Sequence, residues 1–417
     1  MSNRRAIASW CFYDWANSAF PTVVGTFIFG TYFTKAIAET PEIGSAQWGW
    51  ALGVAGIVVA VFSPVFGAIA DQGGRRKPWL GGFTALCVIA TALLWFAYPN
   101  ASSALWALTF VALASAAFEF TMVFYNAMLP EIAPMSHVGR VSGWGWGLGY
   151  VGGLAALALC LVGFVQTDTP WFGLSKSEAE NIRAVVLLVA VWYAVFSVPL
   201  FLFTPDKPST GLSLTASVRA GLAELVETVQ QVRRYGNILQ FLIARMLYTD
   251  GLGTLFAFGG IYAAGTFGME LGEVIMFGIA LNVTAGLGAA AFAWLDDSIG
   301  AKPVIVVSLL ALIGLGGGML IVESVYWFWG LGVALGIFVG PAQAASRSLM
   351  ARLAPEAIRT EMFGLYAFSG KATGFLGPFA LAAATTASGS QRVGMGVILV
   401  FFALGLTLLL RVRERDS

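Results

Sequence analysis

Long apolar stretches separated by short polar segments run the whole length of the chain. Twelve of them lie near 10–36, 47–70, 79–98, 103–128, 141–165, 183–203, 238–266, 271–295, 303–322, 326–350, 362–386 and 393–411. A helix needs about 20 apolar residues to cross the hydrocarbon core of a bilayer, and these stretches have that length. They lack the polar and apolar alternation of a membrane β-barrel. The pattern therefore predicts an all-α membrane protein with twelve transmembrane helices.

Composition narrows the class of protein further. Hydrophobic residues make up 58% of the 417 residues and charged residues 11%, and the formal net charge is +1. So apolar a chain is not disordered, and it carries no basic excess with which to bind nucleic acid. A soluble enzyme would need more charge on its surface. We expect a lipid bilayer around the chain and no nucleic-acid partner.

Residues that bind metals or carry catalysis are scarce. The three cysteines lie in apolar stretches, and His137 is the one histidine of the sequence. These numbers favour neither a disulfide framework nor a metal site. No nucleotide-binding glycine loop of the Walker type is present. We therefore expect no enzyme activity, no metal and no cofactor.

The distribution of Lys and Arg predicts the orientation in the membrane. Most of the 23 Lys and Arg residues fall before the first stretch, after the last, or in every second connecting segment. Basic residues accumulate in cytoplasmic loops of membrane proteins. Because twelve spans bring both termini to the same side, we expect both termini in the cytoplasm.

The longest connecting segment has a helical pattern of its own. Apolar residues recur there at helical spacing, at Leu214, Val218, Leu222, Leu225, Val229 and Val232, with charged residues off that stripe. This pattern predicts an amphipathic helix at the inner membrane interface, with a linker helix in water as the alternative. We expect a bundle over 1–205, a cytoplasmic linker over 206–237 and a bundle over 238–417.

The two halves of the chain repeat each other at one constant offset. Asp71 and Asp296 are 225 residues apart, and each is followed six residues later by Lys-Pro. The same offset relates the Pro-Glu pairs at 130–131 and 355–356, and the glycine pairs of 149–152 and 374–377. The repeat predicts two pseudo-symmetric six-helix bundles. Such bundles with a site between them are the geometry of alternating-access transport.

A short motif follows the second predicted span. Gly67, Asp71, Gly74, Arg75 and Arg76 have the spacing of the G-x-x-x-D-x-x-G-R-R/K loop, and the sequence there resembles the major facilitator superfamily. We interpret the motif as a gating loop in which Asp71 faces a helix N-terminus with its partial positive charge. The alternative is a simple topology marker.

The gating loop has a predicted partner and a predicted copy. The adjoining cations are expected to pair with acids of the other half, such as Glu356 or Glu361. The segment from Asp296 to Lys302 is a weaker copy without the double arginine.

Within the superfamily the chain more closely resembles the branch of autophagy-related vacuolar amino-acid effluxers and their bacterial relatives. Four segments carry the resemblance: 13–20, 124–131, the glycine-rich 143–153, and 244–251. The resemblance implies the twelve-helix major facilitator fold, solute transport with amino acids as the substrate class, and efflux as its direction. It also implies a bacterial inner (cell) membrane as the location.

Ionisable side chains inside apolar stretches are costly, about 3 kcal/mol each at a helix centre, and therefore indicate function. Positions three and four residues apart share a helix face, which groups several polar residues. The candidate residues for substrate binding or proton coupling are Asp14, Asn17, Glu119, Asn126, Arg245, Tyr248, Asp250 and Lys371. A guanidinium or ammonium group suits a carboxylate, and a carboxylate suits an amine, so the set suits a zwitterion. Ion pairs that only hold helices together are the alternative.

Three functions compete on this evidence. The first is a monomeric secondary transporter for a small polar solute, driven by protons or not. The second is a lipid or amphiphile translocase on the same fold, and the third is a scaffold or receptor without transport. A wet central chamber lined by Asp14 and Arg245 favours the first. A lateral slot open to lipid favours the second, and a filled centre favours the third.

Overall fold

A computed structural model describes residues 4–230 and 235–414, and within them the chain is mostly helical with no strand. Its helices are α1 (Arg4–Asn17), α2 (Phe29–Tyr32), α3 (Pro41–Gly73), α4 (Lys77–Leu93), α5 (Ala104–Ile132), α6 (Val138–Cys160), α7 (Glu180–Phe203), α8 (Leu214–Gln230), α9 (Gly236–Phe267), α10 (Leu271–Ile299), α11 (Ala301–Ile321), α12 (Val325–Leu353), α13 (Arg359–Lys371), α14 (Leu376–Ser388) and α15 (Gln391–Leu410). Ten helices in these described residues are long and apolar enough to cross a membrane. They match ten of the predicted spans.

The first predicted span is helical but irregular. Between α1 and the end of the span, Phe20–Phe27 and Phe33–Ile37 form wider helical turns on either side of α2. There the Ile28 N–H donates to the Val23 carbonyl at 3.0 Å, five residues back. Pro21 has no N–H to continue the regular pattern, which accounts for the change at that point. Wide turns of this kind occur often at functional sites.

The eleventh span was predicted as one helix over 362–386, and the structure divides it. Helix α13 ends at Lys371 and α14 begins at Leu376. Pro378 lies in the first turn of α14, where its missing N–H costs nothing, whereas it would interrupt a continuous helix. The Gly377 N–H donates to Asp250 Oδ2 of α9 at 3.1 Å. The N-terminus of α14 thus lies inside the eleventh predicted span.

The sequence repeat is visible in the helix packing. The first bundle is built from α1–α7 and the second from α9–α15. Helix α3 packs along α13, and the equivalent pair, α10 and α6, packs in the same way. These two contacts join the bundles. The boundaries at 205/206 and 237/238 stay a prediction, and residues 231–234 of the predicted linker fall outside the described residues.

Two lysines of the repeat make the same contact in each bundle. Lys77 Nζ donates to the carbonyls of Phe201, at 3.0 Å, and Thr204 at the end of α7. Lys302 Nζ donates to the carbonyls of Leu410 and Val412, at 2.8 and 2.7 Å, after α15. We call these contacts the lysine clamps. Each one ties the third span of a bundle to its sixth.

Carboxylates cap the helices that carry the clamp lysines. Asp206 accepts the Arg76 and Lys77 N–H groups at 2.9 and 3.2 Å at the start of α4. Glu414 accepts the Ala301 and Lys302 N–H groups at 2.9 and 3.0 Å at the start of α11. A negative charge at a helix N-terminus is favourable in both places.

Helix α8 of the linker packs on α3 with its small and polar face. Gly221 lies against the backbone of Ile69, where a side chain would come within 2.7 Å of the Ile69 nitrogen. Leu222 and Val226 on the opposite face are 43% and 55% exposed. Of the predicted apolar stripe, Leu214 and Leu222 are exposed and Val218 and Leu225 are half-buried, whereas the side chain of Val229 and residue Val232 lie outside what the structure describes. The placement of α8 at the membrane interface stays a prediction.

Close packing of α12 on α10 gives a first testable expectation. A side chain at Gly340 would overlap the Ala285 carbonyl, whereas nothing lies within 4 Å of a side chain at Gly330 on the same helix. We expect Gly340→Leu to destabilise the protein by roughly 1–3 kcal/mol through overpacking. A lower thermal unfolding temperature in detergent would report it. Gly330→Leu is the matched control, and an equal loss in both variants would contradict the close packing.

Candidate functional site

A fully buried arginine of the second bundle makes its contacts to the first. Arg347 of α12 is 1% exposed. Its Nη1 donates to Asp14 Oδ2 at 3.0 Å and to Asn126 Oδ1 at 3.4 Å. Its Nε and Nη2 donate to the hydroxyl and carbonyl of Ser142 at 2.9 and 2.6 Å. Asp14, Asn126 and Ser142 belong to α1, α5 and α6, so this ion pair joins the two bundles.

Aromatic rings surround the guanidinium of Arg347. The rings of Trp10, Tyr125 and Trp146 have their centroids 4.8, 5.6 and 5.8 Å from Arg347 Cζ. Trp10 and Tyr125 stack at 4.3 Å and exchange hydrogen bonds between side chain and backbone. Rings at this distance attract a cation and exclude water from it. The Asp14–Arg347 ion pair is therefore enclosed by aromatic rings and shielded from water.

The glycine-rich segment of α6 makes room for this pair. A side chain at Gly145 would lie 2.6 Å from Asp14 Oδ2 and 2.9 Å from Arg347 Nη2. A side chain at Gly152 would lie 2.5 Å from the Trp15 carbonyl. Small residues allow helices to approach this closely. These two glycines thus allow α1 to lie directly against α6.

A second ion pair between the bundles lies deeper in two predicted spans. Lys371 Nζ of α13 lies 2.8 Å from Glu119 Oε1 of α5, with side chains 39% and 26% exposed. Both residues were predicted as site residues. Their exposure makes this pair weaker and easier to separate than the buried Asp14–Arg347 pair.

The remaining candidate residues are distributed over separate places. Arg245 stays within the second bundle, stacked on the Tyr366 ring at 3.5 Å and donating to the Tyr366 carbonyl and the Ser369 hydroxyl. Tyr248 bonds the Ser346 hydroxyl at 2.7 Å, next to Arg347. Arg245 contacts α13 and Asp250 contacts α14, the two helices into which the eleventh predicted span is divided. Asn17 of α1 donates to Met122 Sδ at 3.6 Å.

A cavity of about 420 Å³ lies between the bundles, on one side of the Arg347 pair. We call the end of the protein at which α3 meets α4 the latch end, and the opposite end the far end. The cavity extends from Gln343, one helical turn before Arg347, towards the far end. Gln343 accepts a hydrogen bond from the Tyr150 hydroxyl of the other bundle at 3.0 Å. Trp146 borders both the cavity and Arg347.

The cavity differs from the predicted chamber. Neither Asp14 nor Arg245 lines it, because the first is covered by its pair with Arg347 and the second lies against Tyr366. Its polar lining includes Thr22, Thr26 and Gln343. A buried ion pair at the inner end of a cavity can open only if its two charges find other partners.

A larger crevice of about 1230 Å³ lies between α1, α6 and α10. Most of the side chains along it are apolar, and Val151 and Leu287 are 54% and 64% exposed. Arg4 and Arg140 lie at its latch end. The crevice is therefore open on the side of the protein, at one of the two contacts between bundles.

The loop predicted to be a gating loop contacts the other bundle through Asp71. Asp71 Oδ2 accepts the N–H groups of Thr360 and Glu361, at 2.6 and 3.0 Å, in the first turn of α13. Gly67 lies so close to Thr360 that a side chain would come within 2.5 Å of its carbonyl. Gly74 has φ +84, a conformation that favours glycine, where the chain turns from α3 to α4. Asp71 therefore caps a helix of the opposite bundle.

The predicted pairing of the loop cations is wrong for Glu361. Arg76 bonds Asp71 and Glu131 of its own bundle, and its Nε donates to the Thr360 hydroxyl at 2.6 Å. Neither carboxyl oxygen of Glu361 has a hydrogen-bond partner within residues 4–230 and 235–414. Arg75 is exposed. Glu356 accepts only through its carbonyl, from Lys207 at 3.5 Å, in the interactions of the described chain.

The copy of the gating loop is shifted by one residue. Asp296 binds the Ser348 hydroxyl and pairs with Arg352 at 2.8 Å, both within the second bundle. The equivalent of the Asp71 cap is made by Asp297, which accepts the Gly139 N–H at 2.8 Å and pairs with Arg140 at 2.6 Å. A side chain at Gly139 would overlap Asp296, so Asp296 packs against α6 without capping it.

Sequence reasoning missed Arg347, Asp297 and Glu131. Arg347 counted as a basic residue at the inner end of a span. The polar residues Gln343, Ser346 and Ser348 around it interrupt the apolar pattern of α12 and are a signal that a polar contact lies there. Asp297 was overlooked because its neighbour Asp296, 225 residues after Asp71, fits the sequence repeat.

Comparisons of the sequence with known proteins identify its family. The profile of the family described as "Vacuole effluxer Atg22 like" matches residues 50–417. The MFS-type transporter YxiO of Bacillus subtilis is 26% identical over 98% of this chain and 95% of its own. Autophagy-related protein 22-1 of Aspergillus niger is 24% identical over 66% of this chain. The match covers 47% of that protein, so the chain spans about half the length of this fungal relative.

Solved structures share the fold. The proton:xylose symporter XylE superposes with a TM-score of 0.72 at 12% identity, over 99% of this chain and 96% of that one. FucP in the outward conformation superposes with a TM-score of 0.73 at 14% identity, over 99% of this chain and 100% of that one. At such identities the likeness shows the major facilitator fold alone.

The two caps at the latch end can be separated experimentally. We expect Asp71→Asn to speed amide hydrogen exchange in the first turn of α13, and Asp297→Asn to do so in the first turn of α6. Each substitution removes a negative charge at a helix N-terminus. The loss of about 1 kcal/mol of stabilisation should raise the exchange rate about fivefold. The helix not addressed by a variant is its control. Equal effects of both variants on both helices would contradict separate caps.

Proposed function

The chain belongs to the Atg22-like effluxer family and is an MFS-type transporter, and on that premise we propose that it carries a small polar solute of the amino-acid class. The observation that carries the proposal is the buried Asp14–Arg347 pair, which joins the bundles at the inner end of the central cavity. Arg347 would bind the carboxylate of the solute and Asp14 its amine.

An exchange of partners links binding to movement. Opening the latch end separates α1 from α12 and leaves two buried charges without partners. Removing one partner of a buried pair costs about 3–5 kcal/mol. A zwitterion lowers this cost because its carboxylate replaces Asp14 at Arg347 while its ammonium group replaces Arg347 at Asp14. The loaded transporter then opens more easily than the empty one.

The contacts at the two ends support alternating access. The bundles are joined at the latch end by Asp71, Asp297 and the Arg347 pair, and the cavity extends towards the far end. The excess of basic residues supports a cytoplasmic latch end in a bacterial inner (cell) membrane. The structure then corresponds to the outward-facing state of a monomer, and the family description supports efflux as the direction.

The other candidate residues have supporting roles in this proposal. The Glu119–Lys371 pair also joins the bundles and must separate as they rock. Asn126 accepts a hydrogen bond from Arg347, and Tyr248 bonds the hydroxyl of the neighbouring Ser346. Protons remain candidates for the coupling ion, with Asp14, Glu119 and Asp250 as the carboxyl groups inside the spans. Asp250 holds the N-terminus of α14, where its release would free a helix dipole for a charged ligand.

Uptake into proteoliposomes tests the proposal. We expect Arg347→Gln and Asp14→Asn each to lower uptake of radiolabelled amino acids at least tenfold, because the exchange of partners is lost. Arg183→Gln is the matched control, since Arg183 is buried but bonds the carbonyls of Trp95 and Glu178 within one bundle.

A binding measurement separates transport from folding. Amino acids that are carried should raise the thermal stability of the parent and leave that of both variants unchanged. The assignment would be refuted if Arg347→Gln and Asp14→Asn took up amino acids as fast as the parent. It would also be refuted if amino acids raised the thermal stability of the two variants as much as that of the parent.

The lateral crevice supports one alternative, an amphiphile that enters from the bilayer. Val283 lines the crevice and is 43% exposed, so a larger side chain fits there without overlap. We expect Val283→Trp to leave amino-acid uptake unchanged, because Val283 lines the crevice and does not line the central cavity. Loss of lysophospholipid transfer between leaflets in this variant, with no amino-acid uptake in the parent, would favour the alternative.

A further inference from the structure

Glu361 is a buried carboxyl group without a partner at the latch end. It lies in the first turn of α13 and is 0% exposed. Neither of its carboxyl oxygens has a hydrogen-bond partner within residues 4–230 and 235–414. Its own N–H donates to Asp71 at 3.0 Å, so the residue is held in place by its backbone.

The groups that face Glu361 do not compensate a negative charge. Asp71 approaches from α3, and Glu224 and Thr228 approach from α8. Two of these three are themselves acidic, and the third, Thr228, is a neutral side chain that brings no positive charge to the carboxyl group.

The nearby cations are engaged elsewhere. Arg76 bonds Asp71, Glu131 and the Thr360 hydroxyl. Arg359, two residues before Glu361, has its Nη1 3.7 Å from Glu131. Both guanidinium groups are therefore directed towards the Glu131 side of the contact.

An ionised carboxyl group in such a place is far more costly than a neutral one. We propose that Glu361 is a proton-binding site, neutral while α3, α8 and α13 are packed together and ionised once they separate. On opening, its O–H bond breaks, the proton passes to water entering the gap, and the carboxylate becomes hydrated. On closing, the carboxylate takes one proton from the same water.

This site makes closure of the latch end depend on pH. The closed state binds one proton more than the open state, so it is favoured at low pH and disfavoured as pH rises. One proton per closure changes the ratio of open to closed by up to about tenfold per pH unit. No solute takes part, so the inference stands apart from the proposed substrate.

Spin labels across the latch end test the inference. Met135 and Ala357 lie in the α5–α6 and α12–α13 turns and are exposed, and the three native cysteines are buried. With labels at Met135→Cys and Ala357→Cys, pulsed electron–electron distances are measured in nanodiscs between pH 5 and pH 9. We expect the short, closed distance to lose population as pH rises. Glu361→Gln should stay closed at every pH, because its amide cannot ionise.

Glu356→Gln is the matched control, since Glu356 is an exposed acid five residues earlier. It should keep the pH response of the parent. Infrared difference spectroscopy gives a second readout that does not depend on opening: the C=O band of a neutral carboxylic acid should be present in the parent and lost in Glu361→Gln. A parent-like pH response in Glu361→Gln, or an unchanged band, would overturn the proposal.

Discussion

A guanidinium group that is fully buried in the protein must have partners, and Arg347 finds all of its partners in the opposite bundle. Several features of the structure follow from this one requirement. Gly145 is needed because Asp14 and Arg347 meet against α6, and the rings of Trp10 and Tyr125 enclose the charge. The two bundles cannot separate at the latch end without breaking this pair, and in the proposed function the solute takes the place of each lost partner.

The duplicated sequence builds the contact between bundles twice, and the two copies have diverged. Helix α3 meets α13 under the cover of α8, whereas α10 meets α6 beside an open crevice. Asp71 and Asp297 cap equivalent helices from positions that differ by one residue. A buried unpaired acid, Glu361, accompanies the Asp71 copy. The contact with α8 thus combines the gate with a proton site, and the other contact is open to lipid.

The sequence alone predicts the spans, the repeat and the Asp71 cap, because length, apolar pattern and motif spacing are local properties. It does not predict the break before Leu376 or the depth of Arg347, since both depend on distant partners. Asp250 stabilises the start of α14 from another helix, and Asp14 is 333 residues from Arg347. Basic residues near the ends of spans are assigned to loops by composition, and only packing shows that Arg347 is buried.

The lysine clamps decide where the molecule can bend. Lys77 and Lys302 fasten the third span of each bundle to the end of its sixth, at the same end of the protein as the gate. Each bundle is therefore rigid at the latch end. Bending is confined to the contact between the bundles and to the irregular first and eleventh spans. The irregular first span and the divided eleventh span are therefore the places where the backbone can change conformation while the rest of each bundle moves as a rigid body.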